Sequence, residues 1–349
     1  MSLLQVEDLS VHFPIVRGAL INRTVGHVRA VDGVSFEIPR HGSYGLVGES
    51  GCGKSTLGRA IMRLNTPTTG TVRYDGTDLT ALNGRHLRGM RRHVQMVFQD
   101  PMSSLDPRQN VETILLEGLN THKIGSGTAS RRAMVADVLD AVGLPRNSLS
   151  RYPHEFSGGQ RQRIGIARAL IVQPDLIVAD EPVSALDVSI QAQILNLLAD
   201  LQASRGLTYL IIAHDLAVVR HVSRTVGVMY LGTLVEEADS DDLYATPLHP
   251  YTRALVSAVP VPDPDIEDRR ERIILKGDLP SAAAPPSGCR FHTRCPWARP
   301  TRCTDERPLL RTISIGAANH RVACHWAEDI HAESPGRDNP DQPVVASAG

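Results

Sequence analysis

The sequence of 349 residues lacks the features that mark integral membrane and secreted proteins. No apolar run is long enough to cross a membrane, because the best candidate, Leu207 to Ala213, is short and ends at His214. No signal peptide pattern is visible, since the first four residues lead directly to Glu7 and Asp8. We therefore expect a soluble protein or one that associates peripherally with a membrane.

The chain also lacks an excess of either charge. It has 37 Lys and Arg residues against 38 Asp and Glu residues, which gives a formal net charge of −1. Proteins that bind nucleic acid mainly through global electrostatics are basic, so we expect no nucleic acid partner. Hydrophobic residues make up 42% of the sequence, which is enough for a sizeable core, and the length suits one large domain plus a smaller one.

Cysteine is scarce, and its distribution is uneven. One of the five cysteines is Cys52, and the other four follow one another with gaps of five, seven and twenty residues. Clustered cysteines in a chain of cytosolic character indicate a metal before disulfides. The gaps match no zinc-finger or ferredoxin pattern, because those contain a C-x2-C pair. The predicted metal ligands are Cys289, Cys295, Cys303 and Cys324.

The most informative stretch that is present is GESGCGKST. It follows the apolar run 44–47 and precedes a helix-like run at 57–62, which is the context that a phosphate-binding loop requires. Its glycines let the backbone wrap closely around a phosphate, while amides and the helix N-terminus face the anion. Lys54 adds a positive charge, and Ser55 offers a hydroxyl to Mg²⁺. The predicted nucleotide-binding residues are Gly48, Glu49, Ser50, Gly51, Cys52, Gly53, Lys54, Ser55 and Thr56.

Strand and helix patterns alternate through most of the chain, which predicts an α/β domain around a largely parallel sheet. Between the first two strands, Pro14 to Gly26 is predicted to be a loop insertion. Domain boundaries are predicted at 1–258, with a helical region at about 100–172, and at 259–330, followed by a disordered tail at 331–349. Because ligands of parallel sheets bind beyond the carboxyl ends of the strands, the phosphate loop, Asp180-Glu181 and His214 are predicted to share one site.

Two further stretches carry candidate chemistry. Asp180 ends an apolar strand, where it can hold Mg²⁺ through its water shell, and Glu181 can act as general base on an attacking water. The stretch FSGGQ places Ser157 and two glycines at the start of a helix, which predicts a second anion-binding helix terminus. Two phosphate-binding edges in one chain indicate that each serves a different nucleotide across a dimer.

These motifs together resemble the ATP-binding subunits of ABC transporters. GESGCGKST, Gln99 in VFQD, FSGGQ, LIVADE, SALD and His214 occur in that family's order over about the first 250 residues. The resemblance implies an ABC-type P-loop NTPase fold. Such a fold has a RecA-like core, an antiparallel β subdomain and a helical signature subdomain, here with a small cysteine-containing C-terminal domain.

The resemblance also implies roles for individual residues. The phosphate loop would bind ATP, with Phe13 stacking on adenine, and Cys52 could make the ATPase sensitive to thiol reagents. The implied catalytic residues are Glu181, His214 and Gln99, and the implied magnesium ligands are Ser55, Gln99 and Asp180. The residues implied to contact ATP of the opposite subunit are Ser157, Gly158, Gly159 and Gln160. The implied D-loop residues are Ser184 and Asp187.

Other stretches narrow the resemblance to the oligopeptide/dipeptide importers. QDPMSSLDP, YPHE, HPYT and SGGQRQRIGIARAL resemble the F-type ATPase subunit of that group. The resemblance implies a second, related ATPase subunit, two transmembrane permease subunits and an extracytoplasmic substrate-binding protein. It also implies a location at the cytoplasmic face of the cell membrane. The transported solute stays open, with nickel or another non-peptide solute as the alternative to peptides.

For the cysteines, the resemblance favours a 4Fe–4S cluster, with zinc as the alternative. Seven arginines lie between Cys289 and Trp326, and this basic surrounding suits a negatively charged complex of either kind. A different functional class is a non-transport ABC ATPase of DNA repair or translation. ABC ATPases of DNA repair have long coiled coils or zinc insertions between the phosphate loop and the signature, and those of translation carry two ATPase domains. Neither feature is present in this sequence.

Overall fold

The computed structural model describes residues 2–17, 23–260, 272–313, 315 and 319–333. The chain divides into two compact units, the first formed by Met1–Leu234 with Pro280–Pro285 and the second by Val235–Leu279 with Pro286–Gly349. From residue 334 onward the expected disordered tail lies outside the described residues, and so does 261–271 of the linker. The domain boundaries drawn from the sequence stay predictions.

The first unit contains two sheets and the helices that flank them. Its strands are β1 (Ser2–Arg17), β2 (Arg23–Pro39), β3 (Ser43–Val47), β4 (Thr69–Tyr74), β5 (Thr77–Asp78), β6 (Val94–Val97), β7 (Leu176–Asp180), β8 (Thr208–Ala213) and β9 (Thr225–Tyr230). Its helices are α1 (Lys54–Ile61), α2 (Gly84–Met90), α3 (Pro101–Ser104), α4 (Val111–Thr121), α5 (Thr128–Ala141), α6 (Gly158–Leu170), α7 (Val188–Arg205) and α8 (Leu216–Val222).

One sheet is antiparallel, with the strand order β2-β1-β4-β5. The predicted loop insertion at Pro14 to Gly26 is wrong, because β1 continues to Arg17 and β2 begins at Arg23. Pro14 is tolerated in β1 because the pairing with β4 ends at Ser10, so that one edge of β1 needs no amide donor at Pro14. The proline signal therefore marks an edge segment of a hairpin and not a loop.

The strands β9-β3-β8-β7-β6 pair in parallel, in that order. Every residue of β7 and β8 is buried, which is why these strands are continuous apolar runs and not alternating ones. Parallel pairing brings the carboxyl ends of these strands to one edge. The α/β fold predicted from the sequence is confirmed, and the predicted site residues follow strands that end at this edge.

Between β6 and β7 the chain forms the helices α3 to α6, as the helical periodicity of that region predicts. The positions predicted to face inward are buried: Ile114, Leu115, Val135, Val138, Leu139 and Val142. Asn110 caps α4 by accepting a hydrogen bond from the Thr113 amide. Among the described residues, no helix of the chain combines the length and the apolar character needed to cross a membrane.

The second unit contains all four clustered cysteines. Its strands are β10 (Thr233–Asp239), which begins in the first unit, β11 (Arg311–Thr312) and β12 (Arg321–Val322), and β12 pairs antiparallel with both of the others. Its helices are α9 (Ser240–Ala245), α10 (Pro250–Ala258), α11 (Arg302–Asp305) and α12 (Ala327–Ala332). A hydrophobic cluster unites its elements: Leu248, Ile313, Val322, Cys324, Ala327 and Ile330.

A buried pair of residues, Glu236 and His320, connects several elements of the second unit by hydrogen bonds. Glu236 on β10 and His320 before β12 are both fully buried, and His320 Nε2 lies 2.7 Å from Glu236 Oε1. The two Glu236 oxygens also accept hydrogen bonds from the amides of Leu248 at 2.7 Å and His249 at 2.9 Å. Because a buried carboxylate is costly unless it is hydrogen-bonded, these donors fix the chain just before α10.

Candidate phosphate-loop site and cysteine cavity

The phosphate loop runs from the end of β3 into α1, and its glycines are required by its geometry. Gly48 has φ of +155°, and a Cβ there would lie 2.1 Å from the Met229 carbonyl oxygen. Gly53 has φ of +109°, and its Cβ would lie 2.0 Å from the Ala30 carbonyl oxygen. Distances this short are impossible for a side chain, so only glycine allows the loop to lie against these two strands.

Lys54 points back into the loop that precedes it. It is 4% exposed, and its Nζ donates hydrogen bonds to the carbonyl oxygens of Gly48 at 2.7 Å and Glu49 at 3.0 Å. The positive charge therefore lies within the curve of the loop, where an anion would be bound. Burial raises the pKa of Cys52, against the opposing effect of Lys54, and Cys52 is only 1% exposed. This environment argues against the thiol reactivity expected for Cys52.

Ser55 and Asp180 form the oxygen-rich part of the site. Ser55 Oγ, in the first turn of α1, donates a hydrogen bond of 2.7 Å to Asp180 Oδ1 at the end of β7. Asp180 is fully buried, and burial raises its pKa despite the hydrogen bond from Ser55. Its second oxygen, Oδ2, is buried without a hydrogen-bond partner among the described residues. Oxygen donors with an unsatisfied carboxylate fit the requirements of Mg²⁺.

Three neighbouring parallel strands deliver Gln99, Glu181 and His214 to one point. Gln99 Nε2 donates a hydrogen bond of 2.9 Å to Glu181 Oε2, and His214 Nδ1 lies 3.4 Å from the same oxygen. These residues follow β6, β7 and β8; the edge argument included Glu181 and His214, whereas Gln99 was implied only by the family resemblance. Glu181 has φ of +46°, a conformation that costs free energy for any residue other than glycine. In this conformation the Glu181 carboxylate lies beside both partners.

The FSGGQ stretch builds the start of α6. Ser157 Oγ accepts a hydrogen bond from the Gln160 amide at 3.3 Å, and Gln160 Oε1 accepts one from the Ser157 amide at 3.1 Å. This capping box leaves a well-defined helix N-terminus. Within the described part of the chain, no hydrogen bond connects Ser157 or Gln160 to the phosphate loop, so the structure does not bring the two predicted anion sites together.

Of the two predicted D-loop residues, Ser184 contacts Glu181. The Ser184 hydroxyl donates a hydrogen bond of 3.2 Å to the Glu181 carbonyl oxygen, and Asp187 occupies the N-cap position of α7. Gln191, which the sequence argument did not assign to the site, donates from Nε2 to the carbonyl oxygens of Val183 and Leu186. A polar side chain near the start of a helix that follows a short loop is the signal that could have identified it.

Phe13 lies on β1, where it pairs with Val28, and 42% of it is exposed. A core phenylalanine would be buried, so its exposure fits the predicted contact with a base.

The structure brings together three parts of the predicted site: the phosphate loop, the Ser55–Asp180 pair and the group of Gln99, Glu181 and His214.

The four clustered cysteines line a single cavity in the second unit. Their thiols influence one another: the pKa of Cys295 is raised to about 12 mainly by burial and also by Cys324, Cys289 and Cys303. Burial likewise raises the pKa of Cys324 to about 12. Aromatic side chains of Phe291, Trp297 and Trp326 complete much of the wall.

Backbone amides favour the thiolate form at three of the four cysteines. Hydrogen bonding by the amides of Phe291, Trp297 and Trp326 lowers the pKa of the cysteines two positions earlier, Cys289, Cys295 and Cys324, against the larger effect of burial. Such hydrogen bonds stabilise thiolates, which is the form that binds metals. The Trp326 indole Nε1, also in the wall, is buried with no acceptor among the described residues. These donors fit a sulfur-rich anionic group.

The expected metal site is nevertheless not shown. Among the described residues, no group of three or more His, Cys, Asp and Glu side chains is placed to hold a metal ion. His249, which also lines the cavity, is 1% exposed, and burial lowers its pKa to about 4, so its ring is neutral at pH 7. The sequence argument used His249 only as part of HPYT and did not connect it to the cysteines.

Two family models match the chain. Residues 31–184 match the ABC transporter family, and residues 235–303 match the C-terminal region of oligopeptide/dipeptide transporters. Among solved structures, the chain is similar to a dimeric bacterial ABC transporter cassette, with 27% identity and a TM-score of 0.60 over 68% of this chain and 98% of that one. It is also similar to cbiO1 of Clostridium perfringens, with 25% identity, a TM-score of 0.59, and coverage of 70% and 91%.

Proteins of known family are similar over nearly the whole length. The oligopeptide transport ATP-binding protein AppF of Bacillus subtilis is 53% identical over 93% of this chain and 97% of its own length. The oligopeptide transport ATP-binding protein OppF of Salmonella typhimurium is 50% identical, with coverage of 92% and 95%. The order of motifs, the site at the sheet edge and these similarities lead to one conclusion: the chain belongs to the ABC transporter family, as an ATP-hydrolysing subunit of the group with the oligopeptide/dipeptide transporter C-terminal region.

Proposed function

We propose that this ATPase energises the import of oligopeptides across the cytoplasmic membrane. The observation that carries the proposal is the 50–53% identity, over more than nine tenths of both chains, to ATP-binding proteins named for oligopeptide transport. The same likeness favours peptide import over nickel uptake, DNA repair and translation. The polar, partly exposed phosphate-loop site supports it, because a transport ATPase must exchange nucleotide in every cycle.

In this proposal each residue of the site has one task. The loop from Gly48 to Thr56 binds the ATP phosphates, and Phe13 stacks on the adenine. Ser55 and Asp180, with Gln99, hold Mg²⁺, which neutralises charge on the phosphates when it is bound. Support comes from the Ser55–Asp180 hydrogen bond and from the unsatisfied Asp180 oxygen.

Glu181 acts as general base toward the attacking water, and His214 contacts the γ-phosphate. The 2.9 Å hydrogen bond from Gln99 and the nearby His214 ring support this assignment, since both keep the Glu181 carboxylate oriented. Substitution by an isosteric amide removes the basicity while it preserves size, so Glu181→Gln is the variant that separates binding from turnover.

The start of α6 contacts ATP held by another ATPase subunit. Ser157, Gly158, Gly159 and Gln160 supply amides and a helix N-terminus for a γ-phosphate. The proposal is supported by the local hydrogen bonding of Ser157 and Gln160, none of which reaches the phosphate loop in the described residues. Ser184 and Asp187 belong to the same interface, and the partner is a second, related subunit, which makes a heterodimer.

The remaining partners are two permease subunits and an extracytoplasmic substrate-binding protein, with this chain bound peripherally at the cytoplasmic face. Two large apolar side chains near the helical region support a protein contact there, because Met102 is 46% and Tyr152 is 42% exposed. Isolated exposed apolar residues are common, but both of these lie in stretches shared with the importer group.

The four-cysteine cavity holds a 4Fe–4S cluster, with zinc as the alternative. The residues that would hold the cluster are Cys289, Cys295, Cys303 and Cys324. Support comes from the four cysteines that line one cavity, since both a 4Fe–4S cluster and zinc would take thiolate ligands. When bound, the cluster supplies a structural crosslink, because ATP hydrolysis requires no electron transfer.

The experiment that tests the proposal is transport by the complete assembly. Vesicles are reconstituted with the chain, its ATPase partner, both permeases and the binding protein. Uptake of a radiolabelled tripeptide is measured once with ATP inside the vesicles and once with ATP outside them. We expect uptake that needs ATP on the side of this chain and that is lost in Glu181→Gln. Uptake of nickel but of no peptide would contradict the proposal.

A further inference from the structure

Gln99 is exposed, yet its side chain makes a defined contact in the site. Its Nε2 donates a hydrogen bond of 2.9 Å to Glu181 Oε2. An exposed glutamine has many rotamers open to it, so this contact depends on how the backbone on either side of Gln99 is held. We call residues 98–104, from Phe98 after β6 to Ser104 at the end of α3, the Gln99 segment.

Arg168 contacts the Gln99 segment at both of its ends. Its Nη1 donates a hydrogen bond to the carbonyl oxygen of Ser104, and its guanidinium carbon lies 5.8 Å from the centroid of the Phe98 ring. A cation at that distance over an aromatic face is attracted by the ring. Ser104 ends α3, where carbonyl oxygens have no partner within the helix, so the arginine also satisfies one of these acceptors. One side chain thus holds the chain on both sides of Gln99.

Arg168 is itself held firmly, because it belongs to a well-packed helix. It lies in the last turn of α6, and its neighbours Ala167 and Ala169 are buried. Burial lowers the pKa of its guanidinium, and the nearby Glu117 carboxylate opposes this effect. A charged group that is withdrawn from water is costly unless it is hydrogen-bonded, so its contacts with the Gln99 segment contribute more free energy than those of a surface arginine.

A second arginine of α6 makes the same kind of bond to another part of the chain. Arg163 Nη1 donates a hydrogen bond of 2.6 Å to the carbonyl oxygen of Val142, which follows α5. Like Arg168, it is partly buried. Within the described residues, this hydrogen bond does not reach the Gln99 segment. Arg163 is therefore a matched control for Arg168.

We propose that Arg168 is a positioning residue for ATP hydrolysis, which holds the Gln99 segment so that the Gln99 amide reaches Glu181. The inference rests on the proposed roles of Gln99 and Glu181. Without the guanidinium both ends of the segment can shift, and a misplacement of about 1 Å in a catalytic site can cost about 10²-fold in rate. ATP is bound by the phosphate loop, so its binding should not depend on Arg168.

The test is a double-mutant cycle in the assembled transporter. Arg168→Met removes the donors and the charge but keeps a long side chain, and we expect about a tenfold lower turnover number with an ATP affinity within about twofold of the wild type. Gln99→Ala should also lower turnover, and Arg168→Met should lower it no further in the Gln99→Ala background. Arg163→Met is the control and should leave turnover unchanged in both backgrounds.

The outcomes separate this inference from the roles on which it rests. If Gln99→Ala leaves turnover unchanged, the proposed role of Gln99 is wrong, and the inference falls with it. If Gln99→Ala lowers turnover while Arg168→Met does not, the inference alone is overturned. It is also overturned if the two effects multiply in the double variant, or if Arg163→Met lowers turnover as much as Arg168→Met does.

A further variant decides the matter if Arg168→Met does not fold. Phe98→Leu removes the aromatic face next to the guanidinium and keeps an apolar side chain. We expect about threefold lower turnover, because the attraction between cation and ring is lost, and no further effect of Phe98→Leu in the Gln99→Ala background. Turnover equal to that of the wild type, or a loss that persists without the Gln99 amide, would overturn the inference.

Discussion

The phosphate-loop site and the cysteine cavity hold their polar groups in opposite ways. In the phosphate-loop site Lys54, Ser55 and Glu181 have oxygen or nitrogen partners, and the His214 side chain is 54% exposed. In the cavity, burial raises the pKa of the Cys295 and Cys324 thiols, and the Trp326 indole N–H lacks an acceptor among the described residues. The first arrangement suits a ligand that arrives and leaves in each cycle, whereas the second suits a group that stays.

The largest effect on activity is expected from Glu181→Gln in the phosphate-loop site. Loss of a general base costs about 10²–10⁴-fold in turnover, while the size of the side chain and the contact with Gln99 are preserved. ATPase activity of the assembled transporter and binding of a fluorescent ATP analogue should be measured together. Retained binding with lost turnover is expected, and turnover close to that of the wild type would remove the base assignment.

The next largest effect, on ATP binding, is expected to differ between two glycines of the phosphate loop. Gly53→Ala would place a Cβ 2.0 Å from the Ala30 carbonyl oxygen, whereas at Gly51 nothing lies within 4 Å. Gly51→Ala therefore incurs only the cost of its positive φ, about 1–2 kcal/mol. We expect Gly53→Ala to abolish ATP binding by isothermal titration and Gly51→Ala to weaken it. Equal effects of both substitutions would show that the strand contact is unimportant.

At the other region, Cys295→Ser tests whether the cavity holds a resident group. We expect the wild type to contain about four irons per chain and the variant to lose most of them, with a lower midpoint of thermal unfolding because a bound metal group contributes to folding. Cys52→Ser is the matched control, since Cys52 lies in the phosphate loop and should keep the iron. Equal iron content in both variants would contradict the assignment.

The smallest effect is expected at the amino ends of β6 and β7, at the sheet edge opposite to the phosphate-loop site. Although burial raises the pKa of Asp175, hydrogen bonds from Tyr74 and His93 outweigh it and keep the pKa below its ordinary value of 3.8. A lowered pKa stabilises the fold above pH 3.8, and this stabilisation is lost as the pH falls through the folded value. Asp175→Asn should cost less than about 1 kcal/mol near pH 7, since the side chains of Asp175 and His93 are 43% and 45% exposed and solvent screens their interaction.

For Asp175→Asn, the quantity to compare is the free energy of unfolding of the variant and of the wild type as a function of pH. Chemical unfolding of the wild type and of Asp175→Asn should differ by a constant amount near neutral pH, and the difference should shrink below about pH 4. ATP binding should be equal in both proteins. A difference that grows as the pH falls would have the wrong sign for this account.

The contrast also explains what the sequence predicts well. The phosphate loop is contiguous, and its chemistry requires fixed residue types at fixed spacing, so its position after a parallel strand follows from the sequence. Gln99, Glu181 and His214 follow three such strands, and topology alone brings them together. Their shared hydrogen bonds depend on side-chain orientation, which periodicity does not contain.

The cavity is less predictable for the same reason. Twenty residues separate Cys324 from Cys303, and a longer stretch separates His249 from Cys289, so no local spacing joins them. Their convergence depends on tertiary packing around Leu248 and Val322 and on the buried Glu236. The hairpin at Pro14 was missed because proline signals a loop unless one strand edge is known to be free.

The most direct test of the account is ATP hydrolysis by the reconstituted transporter with and without an oligopeptide-loaded binding protein. We predict a basal rate that the loaded binding protein raises severalfold and that Glu181→Gln in this chain reduces by at least about 10²-fold in both conditions. The metal ion nickel, supplied with the same components, should produce no stimulation. An ATPase rate that does not respond to any oligopeptide, or one that Glu181→Gln leaves unchanged, would contradict the account.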